Sequence, residues 1–462
     1  MRLVKFSLTT LILIIVTSGC ATTERLQYAA PSVLPNTTSD MKTAGFWVSL
    51  HPSPDKLVLD AEGVKTFNRR IMDALDTVKE LTVYRPDYSR SNLADTAKDT
   101  LKHLKKDKLH TKTGQPAGRS WYDPIEKNMD LDLSSEDPPL REAGAIIRYG
   151  FTEKRTEQRV LPTDEILTAK KFDIDFDKLQ NSSLDPGSPV LIFHQSLDKE
   201  WLYSATSTSE GWVKAKDVAE CPEDVFLKFL DRSPFIIVTA PKSEIFLDEG
   251  RTRYYDYARM GARFPFTGKI NDETVGILIP SSDAVDGSLI RQAYMSSALV
   301  HQGYLPYTPR TILEQAFKYL NAPYGWGGMY GEQDCSSFIR SIFAAVGVQL
   351  PRNSGAQGQA GKLLGTFTER NDLKNKTDIL VRDASGGITT LQLKGHVMLY
   401  LGTYGCRQYA IHETHGYSEG DPFPLKDTSR IINRVAVTDL TLGEGSKKGS
   451  HIKRVLNIRA IQ

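Results

Sequence analysis

Tyr324-Gly-Trp326-Gly-Gly-Met-Tyr330-Gly-Glu-Gln-Asp334-Cys335-Ser336-Ser337-Phe338 is the stretch on which the reading of this chain turns. Its first half, glycines alternating with aromatics, reads as a loop. The second half opens a helix whose apolar positions are Phe338, Ile339, Ile342, Phe343 and Val346, with Gly347 placed to end it. Cys335 therefore stands at a helix N-terminus, where the backbone dipole favours a thiolate, the form in which cysteine attacks. The competing reading is a small core residue at a helix start.

A thiolate nucleophile needs a base and a group to orient that base. Downstream, Gly395-His396-Val-Met-Leu-Tyr-Leu-Gly402 alternates as a strand and Tyr409-Ala-Ile-His412 as a second, with Thr403–Gln408 between them. A hairpin centred on Tyr404 predicts His396 opposite His412 on one face. One imidazole then takes the thiol proton and the other fixes its tautomer. His415 follows three residues later, but no local spacing supplies the three or four ligands zinc requires, so neither metal nor cofactor is expected. Cys406 falls in the hairpin turn and Cys221 between two strand-rich blocks, and both read as structural.

Working outward, Thr308-Pro-Arg-Thr311 predicts a helix start, followed by an apolar face of Ile312, Ala316, Phe317 and Leu320. Upstream lie two blocks of short strands. The first contains Pro189–His194, Trp201–Ser204 and Gly211–Val213, preceded by the turn Asp185-Pro-Gly187. The second contains Pro234–Val238, Phe264–Phe266 and Val275–Ile279. Before them, Phe46 to about Leu133 is mostly helical in pattern, with Val64, Phe67, Ile71 and Leu75 at helical spacing and an amphipathic stretch from Leu93 to Leu104.

Arg2 and Lys5, the apolar run around Leu11–Val16, and Ser18-Gly19-Cys20 form an export signal. Cys20 is placed for acylation as in a bacterial lipoprotein. Thr17 departs from the usual Leu of such signals, which leaves cleavage without a lipid open. Loss of residues 1–19 would remove two of the 58 basic residues and none of the 56 acidic ones, leaving the mature chain close to neutral. That balance gives no support for a nucleic-acid partner. Of the four cysteines, lipidation would use Cys20, and the remaining three cannot all pair in an oxidising compartment. The 462 residues fit about three domains. With 40% apolar and 25% charged residues the chain is neither disordered nor multi-spanning.

In combination, Tyr-x-Trp-Gly-Gly, Asp-Cys-Ser, Gly-His-Val, Ile-His and Leu350-Pro-Arg-Asn-Ser354 resemble the NlpC/P60 papain-like cell-wall cysteine peptidases. The helical region, two SH3-like blocks and peptidase segment resemble that family's γ-D-glutamyl-L-diamino acid endopeptidases, as do Phe46-Trp47 and His51-x-x-x-Asp55. The resemblance implies an α+β multidomain chain. Its expected parts are a signal (1–19), a tether (20–44), a helical region (45–135), two SH3-like β-barrels (136–225 and 226–305) and a papain-like catalytic domain (306–462). It also implies Cys335 as nucleophile, His396 as base and His412 as the orienting residue. Asp334, Ser336 and Ser354 would bind the substrate's free N-terminal L-Ala and D-Glu carboxylate. Peptidoglycan peptides are the implied partner, in an exported, envelope-located protein held to a membrane through Cys20. Oligomeric state is not implied. The family's usual Tyr before Gly-Trp-Val is absent from Ser207-Thr-Ser-Glu210-Gly-Trp212, and the long 361–393 insertion is expected to line or cover the cleft. Two other functions stay open: cleavage of another murein bond such as the muramic acid–L-Ala amide, and murein binding without catalysis. Acyl transfer on the same fold is a more distant third.

Overall fold

The computed structural model describes residues 27–84, 90–131, 147–283, 289–368, 372–420 and 427–462. The signal segment and Cys20 lie outside them. Among the described residues no helix is long and apolar enough to cross a membrane.

The architecture is mixed α+β, with three seven-stranded sheets and short helices between and around them. The first sheet spans Arg148–Cys221, and its strands Pro189–Gln195, Trp201–Ala205 and Glu210–Lys214 coincide with the predicted runs. The second spans Phe235–Gln302. Helix Glu223–Leu230 joins them. It buries Phe226 and Phe229 against Phe151 and Leu191 of the first sheet, with Leu278 and Ile290 of the second beside them.

Among the described residues, the helical N-terminal region has no core of its own. Helices Ala44–Leu50 and Ala61–Ala74 place Trp47, Val64, Phe67 and Ile71 in one cluster with Tyr307, Phe338 and Ile342 of the C-terminal segment. Helices Arg90–Lys106 and Arg119–Asn128 contribute Leu101, Leu104 and Tyr122 to a cluster with Trp201 and Trp212 of the first sheet. The two conspicuous N-terminal motifs serve docking. His51 Nε2 lies 2.8 Å from Ser385 Oγ, and Asp55 pairs with Arg310. The described part of the expected tether is docked as well, for a physical reason: Leu34 and Met41 are buried, and Gln27–Ala29 forms a strand parallel to Thr428–Asp439.

In the third sheet the order is 27–29, 428–439, 407–419, 396–404, 389–393, 455–460, 362–366. Alternation along strand His396–Tyr404 divides the core. Val397, Leu399 and Leu401 pack on the side of helix Cys335–Ala344, whereas Met398 and Tyr400 pack on the side of helix Leu373–Arg382. The 361–393 insertion is thus part of the sheet. It supplies edge strand Lys362–Thr366, helix Leu373–Arg382, and inner strand Thr389–Leu393, whose five residues are all buried. Thr308 caps helix Pro309–Lys318 by accepting from the Thr311 N–H, with Pro309 in the first turn as predicted.

Candidate active site

Asp334 is the N-cap of helix Cys335–Ala344, and its Oδ1 accepts from the Ser337 N–H at 2.8 Å. Cys335 is the first helical residue. The backbone N–H groups of Ser336 and Val397 donate to its sulfur, so the thiol meets the end of the strand that begins with His396.

The hairpin turns between Gly405 and Cys406, not at Tyr404, and its register shifts between Tyr400 and Gly402. Leu399 faces Ile411, so the ladder offsets His396 from His412 by two residues relative to the predicted pairing. A two-residue offset preserves the face, because side chains alternate with period two. The rings still meet: His396 Nε2 lies 2.6 Å from His412 Nδ1. Behind them His412 Nε2 lies 2.9 Å from Thr438 Oγ1. This relay selects tautomers. With His396 donating through Nε2–H, its Nδ1 is left as an acceptor, and His412 Nε2–H is satisfied by Thr438. His451 completes the cluster, its ring edge-on to His412 at 5.3 Å. Sequence reading found neither Thr438 nor His451, since each comes to the histidines only through the fold.

Electrostatics at Cys335 pull in two directions. Burial pushes the Cys335 thiol up to about 12, with the Asp334 carboxylate adding to the effect, and this outweighs the favourable helix start. Burial and the nearby Arg454 charge hold His396 below its ordinary range. Burial thus favours the neutral form of both groups. Alkylation of Cys335 by iodoacetamide is therefore expected to be slow at pH 7 and to accelerate continuously from about pH 7 to 10. A rate already at its plateau by about pH 6, measured by intact mass, would mean a preformed thiolate–imidazolium pair.

Asp334 holds more than the cap. Its two oxygens accept from Arg352 Nη1 and Nη2 (3.2 and 2.8 Å), Ser336 Oγ (3.0 Å) and the Gly327 N–H (3.2 Å), besides Ser337. Burial alone would raise this carboxyl, and the Arg352 charge and hydrogen bonds more than offset it, so it is held below the ordinary range. Arg352 also donates to Ser336 Oγ (3.1 Å) and, through Nε, to Ser182 Oγ of the first sheet (3.0 Å). Ser354 opens helix Ser354–Gln357, which Gln357 ties to the Ser336 carbonyl at 2.9 Å.

The first sheet's unit packs on the loop that leads to Cys335, through a segment other than Ser207–Glu210. Trp326 Nε1 donates to the Asp177 carbonyl (2.9 Å), Gln180 Nε2 to the Gly327 carbonyl (3.2 Å), and Phe176 stacks on Tyr324, Trp326 and His415. Gly327 (φ 61°) and Gly328 (φ 90°) are required here. A Cβ on either would lie within 3 Å of Gln180 or Ser183. Glu210 instead pairs with Lys79, and Thr208 with Arg340.

No group of His, Cys, Asp and Glu fit to hold a metal occurs among the described residues, and His415 packs against aromatic rings. Cys221, Cys335 and Cys406 are all free thiols. Cys406 sits in the turn at φ 61°, and Cys221 ends a strand of the first sheet.

Glu413, next to His412, is fully buried, and neither carboxyl oxygen has a partner. Burial, then the charges of Asp334 and Glu332, drive its carboxyl well above the ordinary range. An acid whose folded pKa is raised contributes stability that is complete below the unfolded value and is lost as pH climbs through the folded one. Glu413→Gln is expected to leave Tm nearly unchanged near pH 4.5 and to raise it by about 2–4 °C at pH 8. Equal shifts at both pH values, read by differential scanning fluorimetry, would show that Glu413 is ionised in the native state.

Residues 321–419 match the NlpC/P60 family and residues 168–214 the SH3 domain of SH3b1 type. The chain carries an NlpC/P60 domain. Among curated proteins it is similar to the γ-D-glutamyl-L-lysine dipeptidyl-peptidase of Bacillus subtilis (strain 168), 45% identical over 12% of this chain and 19% of that one. The Bacillus cereus (strain ATCC 10987 / NRS 248) protein of the same name is 25% identical over 33% and 44%. The chain therefore spans less than half the length of either. Among solved structures, an NlpC/P60 endopeptidase from Photobacterium damselae subsp. piscicida aligns over 95% of this chain and 99% of its own. Its TM-score is 0.72 and its identity 17%, a likeness of fold. Every relative named here is called a peptidase, and the NlpC/P60 domain holds Cys335, His396 and His412.

Proposed function

We propose that the chain is an exported cell-wall cysteine peptidase that hydrolyses the γ-D-glutamyl–L-diamino acid bond of murein peptides with a free N-terminal L-Ala, releasing L-Ala-γ-D-Glu. The observation that carries this is the His396–His412–Thr438 chain of hydrogen bonds, with Cys335 opening its helix and taking the N–H of Val397, the residue after His396. Cys335 Sγ attacks the γ-carbonyl carbon as its proton passes to His396. Backbone N–H groups at the helix start stabilise the oxyanion. The His396 imidazolium, steadied by His412, gives its proton to the departing amine, and water then cleaves the thioester. Ser336 and Ser354 serve the D-Glu α-carboxylate. Asp334 serves the substrate's amino end while anchored by Arg352, so the ammonium shares a carboxylate that already accepts five hydrogen bonds. Export and acylation at Cys20 belong to the same reading, and murein peptides are the partner.

The wall built by Phe176–Ser183 against the Trp326–Gly331 loop supports a cleft closed to peptides extended at their amino end. The protein is expected to cleave L-Ala-γ-D-Glu-meso-diaminopimelate and to leave its N-acetylated form intact. Cleavage of both at equal rates would describe an open cleft acting on intact wall.

A further inference from the structure

On helix Cys335–Ala344, residues Ser337, Arg340, Ser341 and Ala344 form a stripe. At roughly 100° per residue that stripe faces away from Cys335. It lines a cavity of about 290 Å³ whose other walls are the Ser182–Pro189 and Thr206–Ser209 turns of the first sheet and the Arg259–Arg263 turn of the second. Neither Cys335, His396, Asp334 nor Ser354 reaches it.

The charge of this cavity is unbalanced. Three arginines line it, Arg259, Arg263 and Arg340, against a single carboxylate, Asp185. Asp185 is committed to Arg259, which holds it through Nε (2.9 Å) and Nη2 (3.0 Å). Arg263 donates to the carbonyls of Leu230 and Arg232, both at 2.8 Å, and lies over the Phe235 ring with the Asp231 charge nearby. Arg340 makes one weak bond, to Thr208 Oγ1 at 3.3 Å, and its buried Nε has no partner. Burial, with Arg352 and Arg259 nearby, pulls Arg340 down to about 10, and the Asp185 and Asp334 charges offset this only in part. Desolvated cations of this kind are costly unless paired. The remaining lining is rich in hydroxyls, Thr208, Ser337 and Ser341 among them, which donate well to oxyanions.

We propose that this cavity behind the Cys335 helix binds a small dianionic oxyanion of the phosphate class, with Arg340 and Arg263 as its cationic ligands. Among the lining residues, three arginines less one carboxylate leave two positive charges, matching a dianion, and planar guanidinium groups suit phosphate oxygens. The bound anion joins both small sheets to the helix that carries Cys335, and so stiffens the wall of the cleft from behind. The site does not depend on which peptide bond the protein cuts.

Thermal unfolding of the full-length protein tests this, with inorganic phosphate, glycerol 3-phosphate or chloride added at matched ionic strength. Phosphate is expected to raise Tm saturably, by roughly 2–4 °C, with chloride without effect. An equal response to glycerol 3-phosphate would assign the site to a phosphate carried on a larger molecule as well as to the free ion. Arg340→Gln and Arg263→Gln should each abolish the shift. Thr208→Ala, which removes only a hydroxyl, should weaken it and provides a variant that folds if the arginine replacements do not. No phosphate-specific shift in the unmodified protein would overturn the proposal, and so would a shift retained by all three variants.

Discussion

His396→Ala is expected to lower kcat/KM for L-Ala-γ-D-Glu-meso-diaminopimelate by about 10⁴-fold or more, with Cys335→Ala at least as severe. Burial favours a neutral thiol, so the proposed mechanism needs His396 to accept its proton and to return one to the leaving amine. Because the residues work as a unit, the double variant should be scarcely worse than either single one. The relay predicts a gradient behind them. His412→Ala removes the partner 2.6 Å from His396 and frees the tautomer. Thr438→Val removes only the acceptor 2.9 Å from His412 Nε2. The loss for Thr438→Val should be about tenfold, and that for His412→Ala should lie between it and the loss for His396→Ala. Steady-state rates for the four single variants, with circular dichroism to verify folding, check the order. A Thr438→Val loss as deep as that of His396→Ala would contradict this division of roles.

Arg352→Leu should be the most destabilising single change at the site. Asp334 is 8% exposed, and Arg352 spans both its oxygens. Removing the guanidinium leaves a buried carboxylate with neutral donors alone, a cost of about 3–5 kcal/mol. That corresponds to a fall in Tm of roughly 10 °C. The same change releases the cap of the Cys335 helix from Ser182, so activity should fall with stability. Arg352→Leu combined with Asp334→Asn should recover part of the Tm, since the uncompensated charge is then gone. Additive losses in the double variant would show that the pair is not coupled.

What was legible in the sequence was local. The helix that starts at Cys335, the two histidine strands and the Thr308-Pro309 helix start follow from patterns within a few residues, and the structure bears them out. The hairpin register was not legible to the residue, because a ladder irregularity near Leu401 and the Gly405-Cys406 turn moved it by two. The inferred face survived only because two is the period of a strand. Strand Thr389–Leu393 was hidden by its polar Thr and Gln residues, which an inner position in a sheet buries all the same. The helix start at Cys335 was legible, but the burial that opposes its dipole there is a property of the folded chain alone. Arg352 appeared only within a family segment. Its ties to Asp334, Ser336 and Ser182 join three stretches distant in sequence, which no spacing discloses.

The proposed reaction is tested by identifying products by mass spectrometry after incubating L-Ala-γ-D-Glu-meso-diaminopimelate with the protein and with its Cys335→Ala variant. L-Ala-γ-D-Glu and free diaminopimelate are expected from the unmodified protein, and intact peptide from the variant. Release of L-Ala as the first product, or the same products from the Cys335→Ala protein, would contradict it.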